Sequence, residues 1–313
     1  MSEQAPIRIY YGTTSNMMEV TNVALSKCVK QNILGIVASD HIRARLFTDP
    51  LVGILKSIFI KLPNLEIQEF DHTKSAYIDL TTNEFVPYPI PESIIDNFLD
   101  AQSRLQIIHN KLSLKYGVFT DEYPEQLMVA NYLTGDEKVL EIGGNIGRNT
   151  LVIGYILHKK NNTNFVSLES DTEISKQLEE NRDSNKLNFH IENSALSKRK
   201  LIQKAWDTIE SDVLLPDYKN VNIISWDQLN QKYNIQFDTL VLDCEGASYY
   251  ILMDMPEVLT NIKLIIMEND YHDVAKKEYV DSVLRNNNFT VDYTECGGWG
   301  PCFHRFFEVW KRS

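Results

Sequence analysis

The stretch VLEIGGNIGRNT, residues 139–150, concentrates groups that could bind a ligand. Gly143, Gly144 and Gly147 leave the backbone bare, so a ligand can approach the main chain closely. Glu141 sets a carboxylate just ahead of them, and Asn145 adds an amide between them. A dinucleotide site would need G-x-G-x-x-G, with pyrophosphate on the helix N-terminus. Aligned from Gly143 that pattern fails, because Asn145 and Arg148 stand where glycines belong. An acid two residues before the first glycine suits a cation better than a phosphate. S-adenosylmethionine carries an ammonium and a sulfonium and no phosphate. At this motif a methyl donor, a dinucleotide and a structural glycine turn all stay open.

Glu169 ends the apolar run FVSLE. A carboxylate there can accept both ribose hydroxyls of a nucleoside, whichever donor carries it, or can simply cap a helix. Further acids gather in LVLDCEG and LIIMENDYH: Asp243, Glu245, Glu268 and Asp270, with His272 beside them. Methyl transfer to a hydroxyl needs a place for the proton. Asp243 is the first choice of base, since desolvation at the end of an apolar strand raises its pKa. His272 is the second, and Glu245 the third, with a helix cap or a surface loop as the plain alternative. A divalent ion bridging Asp243, Asp270 and a diol is chemically sensible, but no metal ligands are assigned. The spacing of Cys296, Cys302 and His304 matches no common zinc pattern. Cys244 reads as a buried structural thiol.

The elements that must position these groups alternate strand and helix beyond residue 119. KVLEI, NFVSLE, LNFHIEN, FDTLVLDCEG and KLIIMEN read as five apolar strands of a parallel sheet covered on both faces. Helices are expected from about Asn149, and over DTEISKQLEENRDSN with Asp171 as cap. FTVDYTE and CFHRFFEVWK, separated by a short glycine loop, suit an antiparallel final pair.

In order and spacing, VLEIGGNIGRNTLV, FVSLESD, ENSALS, FDTLVLDCEGASYYIL and IKLIIMEND resemble the FkbM-like methyltransferases over about residues 120–313. SWDQL, residues 225–229, resembles that family's segment before the fourth strand. The resemblance implies a Rossmann-like, class I methyltransferase fold of seven strands. It implies S-adenosylmethionine as cofactor and O-methylation, most often of a sugar or similar small molecule. By position, Glu141, Gly143, Gly144, Asn145 and Gly147 would line the methionine and ribose. Glu169 would hold the ribose hydroxyls, Asn193 and Ser194 would meet the adenine edge, and Asp243 would sit near the reacting methyl. Arg148 stands where an aromatic residue is frequent, and Ser248 replaces an acid of the family pattern.

The whole chain has 313 residues and a net charge of -12. Phosphate backbones repel such a chain, which speaks against nucleic acid as partner and against cap-ribose methylation as the rival activity. A non-catalytic binding protein on the same fold is the other rival. No apolar run approaches the roughly 18 residues needed to span a bilayer. The N-terminus lacks a signal-peptide pattern, so a cytoplasmic protein with reduced thiols is expected. VPYPIP punctuates the chain near residue 90. Residues 1–90 therefore read as a small α/β domain of unknown role, with acceptor binding as the candidate. Residues 91–313 read as a linking helix plus the methyltransferase domain. That helix, running from Pro91 to Tyr116, carries an apolar stripe suited to a domain interface or a homodimer seam. In residues 1–90, His41, Arg43, Arg45 and Lys56 near Asp40 and Asp49 could grip phosphate or acidic sugars, or form a salt-bridged turn.

Overall fold

The computed structural model describes residues 7–63, 65–91, 94–95 and 98–312. The chain divides into two compact units, Met1–Asp100 and Ala101–Ser313.

The first unit holds two four-stranded sheets, antiparallel throughout. Strand Arg8–Thr13 pairs with Ser57–Lys61, and Ile33–Ile36 with Ala76–Asp79. Gln68–Phe70 joins the first sheet and Ala76–Asp79 the second. LEIQEF and AYIDL alternate in polarity as the two arms of a hairpin would, yet they pair in different sheets. The cause is Arg43, fully buried on helix Asp40–Phe47. Its guanidinium donates to the carbonyls of Val37, Phe70, Asp71 and Lys74, and the chain between the two strands wraps around it. Lys56 is equally buried and pairs with Asp40 and Asp49 at 3.2 and 2.9 Å. These two cations are consumed by the unit's own carbonyls and carboxylates, so the phosphate-grip reading is set aside for them.

The second unit is built on a seven-stranded sheet. Its strands are β1 (Val139–Ile142), β2 (Phe165–Leu168), β3 (His190–Glu192), β4 (Thr239–Leu242), β5 (Leu264–Glu268), β6 (Phe289–Glu295) and β7 (Phe307–Arg312). Their order is β3-β2-β1-β4-β5-β7-β6. The first five are parallel, and β7 is antiparallel to both its neighbours. This is the expected α/β sheet with an antiparallel last strand. β1, β2 and β4 are buried along their whole length, which explains their unbroken apolar runs. Helices α1 (Ala101–His109), α2 (Tyr123–Tyr132), α3 (Arg148–His158) and α4 (Thr172–Ser184) precede or join the early strands. Asp171 caps α4, accepting from the backbone N–H of Glu173 and Ile174.

The long helix expected from Pro91 to Tyr116 is shorter. Ile94, Ile95 and Phe98 are helical, part of this stretch lies outside the described residues, and α1 itself ends at His109. Tight turns, with Lys111 N–H on Ile108 and Leu112 N–H on His109, close it there. Only Leu105 and Ile108 of the stripe are buried in the second unit's core. Between β3 and β4 the chain adds a small antiparallel sheet, Leu201–Lys204, Asp207–Glu210 and Lys219–Asn220, which the sequence reading did not contain.

Replacing Arg43 with methionine removes the donor from four carbonyls, at about 1–3 kcal/mol for each that water does not reach. Hydrogen exchange on the Arg43→Met chain should show first-unit amides losing protection. Second-unit amides should keep theirs. Wild-type protection in both units would sink the bracing role.

Candidate active site

Strand order reverses between β1 and β4, and a crevice at the carboxyl ends of the strands is the expected ligand site of such a sheet. A cavity of about 1180 Å³ opens there. Its wall takes residues from the tips of β1, β2, β4 and β5, from the start of α2, and from the small antiparallel sheet.

The glycine turn has specific steric causes. Gly143 sits at φ +96°, and a Cβ there would overlap the Asp243 carbonyl oxygen. A Cβ on Gly144 would collide with Ser167 Oγ, and one on Gly147, at φ +101°, with Leu178. Gly143 and Asn145 lie on the cavity wall; Gly144 and Gly147 are absent from it and serve the packing of the turn.

Glu141 also differs from expectation. Its side chain is buried under the turn, off the cavity wall, and Oε2 accepts from Ser167 Oγ at 2.6 Å. Burial pushes its carboxyl up to about 7. Alternation along β1 places Ile142 on the cavity side and Glu141 behind it. Direct contact with a donor is therefore corrected to support of the turn.

Glu169 is where the sequence pattern put it, at the β2 tip and on the cavity wall. Oε2 accepts from Asn145 N–H and Oε1 from Asp171 N–H, both at 2.8 Å. Each oxygen keeps acceptor capacity for a ligand hydroxyl. Burial raises its pKa. Ser194 lines the cavity and donates to Glu192 at 2.9 Å. Asn193 is off the wall. Its amide donates to the carbonyls of Glu169 and Ser170, and its oxygen accepts from Thr172. It holds the β2 loop in place of meeting an adenine edge.

Asp243, Glu245, Glu268, Asp270 and His272 all line the cavity. They are joined by Glu122 and Glu125, which no motif in the sequence marks. The signal for them was local: Pro124 in the first turn of a helix, with acids on either side. Nothing local said that α2 packs where it does. Burial, then the charges of Glu122 and Glu125, raise the Asp243 pKa. Burial, then Asp243, push Glu268 up to about 11. Partial burial and a hydrogen bond with Asp270 push Glu245 up to about 8. His272 is exposed and packs on Trp299, ring centroids 4.5 Å apart.

Arg148 donates to Glu122 at 2.8 Å and to Asp121 at 3.3 Å, which accounts for a cation where an aromatic residue was expected. On the wall, Arg199 is occupied by Asp254 and Glu210. Cys244 is half-buried, and burial pushes its thiol up to about 12, so it is a poor nucleophile. Three exposed aromatics, Trp206, Tyr250 and Trp299, also contribute to the wall. Trp206 comes from the turn of the hairpin Leu201–Glu210.

No protein-family model matches the chain, and no curated protein matches it. Solved structures are similar over part of it. A ribosomal protein L11 methylase from Lactobacillus delbrueckii subsp. bulgaricus matches at 14% identity and TM-score 0.39, over 64% of this chain and 82% of that one. An O-methyltransferase from Bacillus cereus in complex with SAH matches at 15% identity and TM-score 0.37, over 72% and 94%. The tRNA methyltransferase TrmK of B. subtilis matches at 10% identity and TM-score 0.40, over 60% and 65%.

Glu141 makes a pH prediction. Its pKa rises from 4.5 unfolded to about 7 folded, so the folded state binds the proton more tightly. The contribution is full below about pH 4.5 and is lost as pH rises through 7, a change on the order of 3 kcal/mol. Glu141→Gln should therefore gain stability over wild type as pH rises from 5 to 8. Denaturant midpoints with the same difference at both pH values would refute this.

Proposed function

We propose that the second unit is an S-adenosylmethionine-dependent O-methyltransferase of the FkbM-like kind, acting on a sugar or glycan hydroxyl. The observation that carries the donor is the sign of the cavity wall. Glu122, Glu125, Asp243, Glu245, Glu268 and Asp270 face it, and Arg199 there is already neutralised. A pyrophosphate finds no free lysine or arginine among the lining residues, whereas a sulfonium and an ammonium favour ionisation of these burial-raised carboxyls and are held by them. Glu169 takes the ribose hydroxyls with the acceptor capacity its two backbone contacts leave over. Gly143 lets the ligand lie on bare backbone.

The cavity exceeds the 300–1,000 Å³ typical of a single small ligand, which leaves room for donor and acceptor together. Exposed aromatic faces such as Trp206 and Trp299 suit the apolar face of a sugar ring. The anionic wall disfavours RNA. In the reaction the acceptor oxygen attacks the methyl carbon in line with sulfur. The C–O bond forms as the C–S bond breaks, and S-adenosylhomocysteine leaves. Asp243, on the wall and raised in basicity by burial, takes the hydroxyl proton and passes it to solvent. His272, exposed at the rim, is the second candidate.

Two outcomes test this reading. Calorimetry should show Glu169→Ala weakening S-adenosylmethionine binding by roughly 1.5–3 kcal/mol, the value of lost charged hydrogen bonds; an unchanged dissociation constant removes the assignment. In Asp243→Asn, methyl transfer from labelled donor to a panel of sugars should fall at least about 100-fold, with donor affinity much less affected. Full turnover in that variant would exclude Asp243 as base.

A further inference from the structure

Glu125, Asp243 and Glu268 come from three separate elements, the start of α2 and the tips of β4 and β5. Each offers a carboxylate oxygen, and the three oxygens lie within 4.8 Å of one another. Among the described residues this is the one group of acids, histidines and cysteines close enough to hold a single ion. Like charges at such separations repel strongly in a partly desolvated site. Arg148, the arginine beside this wall, pairs with Glu122 and Asp121 instead.

A second observation points the same way. Glu125 is only 8% exposed, and its Oε2 has no hydrogen-bond partner. A buried carboxylate oxygen without a donor is costly, and here it is carried by a member of the cluster on the cavity wall. Hard divalent cations take oxygen ligands at about 2.0–2.6 Å, so two ligands of one ion lie at most about 4–5 Å apart. The cluster falls inside that limit.

We propose that Glu125, Asp243 and Glu268 bind one divalent cation of the hard, oxygen-preferring class. Three protein oxygens leave further coordination positions facing the cavity. A hydroxyl oxygen of the acceptor can fill one, which lowers its pKa and eases loss of its proton to the Asp243 oxygen not spent on the cation, and from there to solvent. This part rests on the methyl-transfer reading; the binding site itself does not. Asp243 is common to this site and to the bridge weighed from the sequence, while Glu125 and Glu268 take the place of Asp270.

The test is titration of the full chain with Mn²⁺, followed by electron paramagnetic resonance of the free ion, with Mg²⁺ and Ca²⁺ as competitors. One saturable equivalent per chain is expected. Glu125→Gln and Glu268→Gln should each weaken it roughly tenfold or more, while the exposed Glu278→Gln should not. No saturable binding of any of the three ions up to about 10 mM, beyond the weakest natural sites, overturns the proposal on wild-type protein alone. So does binding unchanged in both cluster variants. Calorimetry of S-adenosylmethionine runs in parallel. Donor binding without cation binding ends this inference and leaves the methyltransferase reading. Cation binding without donor affinity does the reverse.

Discussion

The end of β1 passes so close to the end of β4 that no side chain fits between them. Gly143 is left-handed and would place a Cβ on the Asp243 carbonyl oxygen. Asp243 N–H in turn donates to Ile142, so the two strand tips are held in register up to the turn. Everything at the site follows from that contact. It swings the chain away over Leu168, whose carbonyl accepts from both Gly143 and Gly144. It brings Asn145 N–H to Glu169 and leaves Asp243 on the crevice wall. A wider gap would loosen the positions of both acids at once.

That arrangement places like charges together at some cost to stability. Burial raises the pKa values of Glu122, Glu125, Asp243 and Glu268, and the neighbouring charges of Glu122 and Glu125 at Asp243, and of Asp243 and Glu125 at Glu268, add to the effect. A protein selected for stability alone would break up such a wall. Crowded acids at the open end of a sheet are the pattern expected where a site must hold a cationic ligand or exchange protons. Elsewhere in the same unit buried acids have cations beside them: Lys277 contacts both Asp281 and Glu308 in the interior, and Arg285 and Arg305 also reach Asp281. The contrast sets the site apart from ordinary buried polarity.

The first unit shows how buried cations can organise a fold. Arg43 collects four carbonyls and Lys56 two carboxylates. From the sequence, SDHIRARLFTDPLVGILK could equally have been a ligand grip. Side-chain types do not reveal whether their partners lie in the same chain.

The sequence by itself determined the α/β class, the strand tips carrying acids and the helix cap at Asp171. Those depend on apolar run length, turn chemistry and hydrogen bonds a few residues apart, all of which are local. It also marked Glu169 and Asp243, because each ends a continuous apolar strand. Tertiary structure decided what local pattern could not carry. Glu141 faces the sheet interior, since the pleat gives the cavity to its neighbour Ile142. Asn193 is consumed by loop carbonyls, since the β2 and β3 tips lie side by side. Glu125 joins Asp243 and Glu268 because α2 packs beside β5. The Trp206 hairpin reaches the crevice because its sheet sits against the loop after β2, where Ser170 donates to Gln203. Contacts between residues distant along the chain are set by packing of whole elements, and no spacing rule within a single segment encodes them.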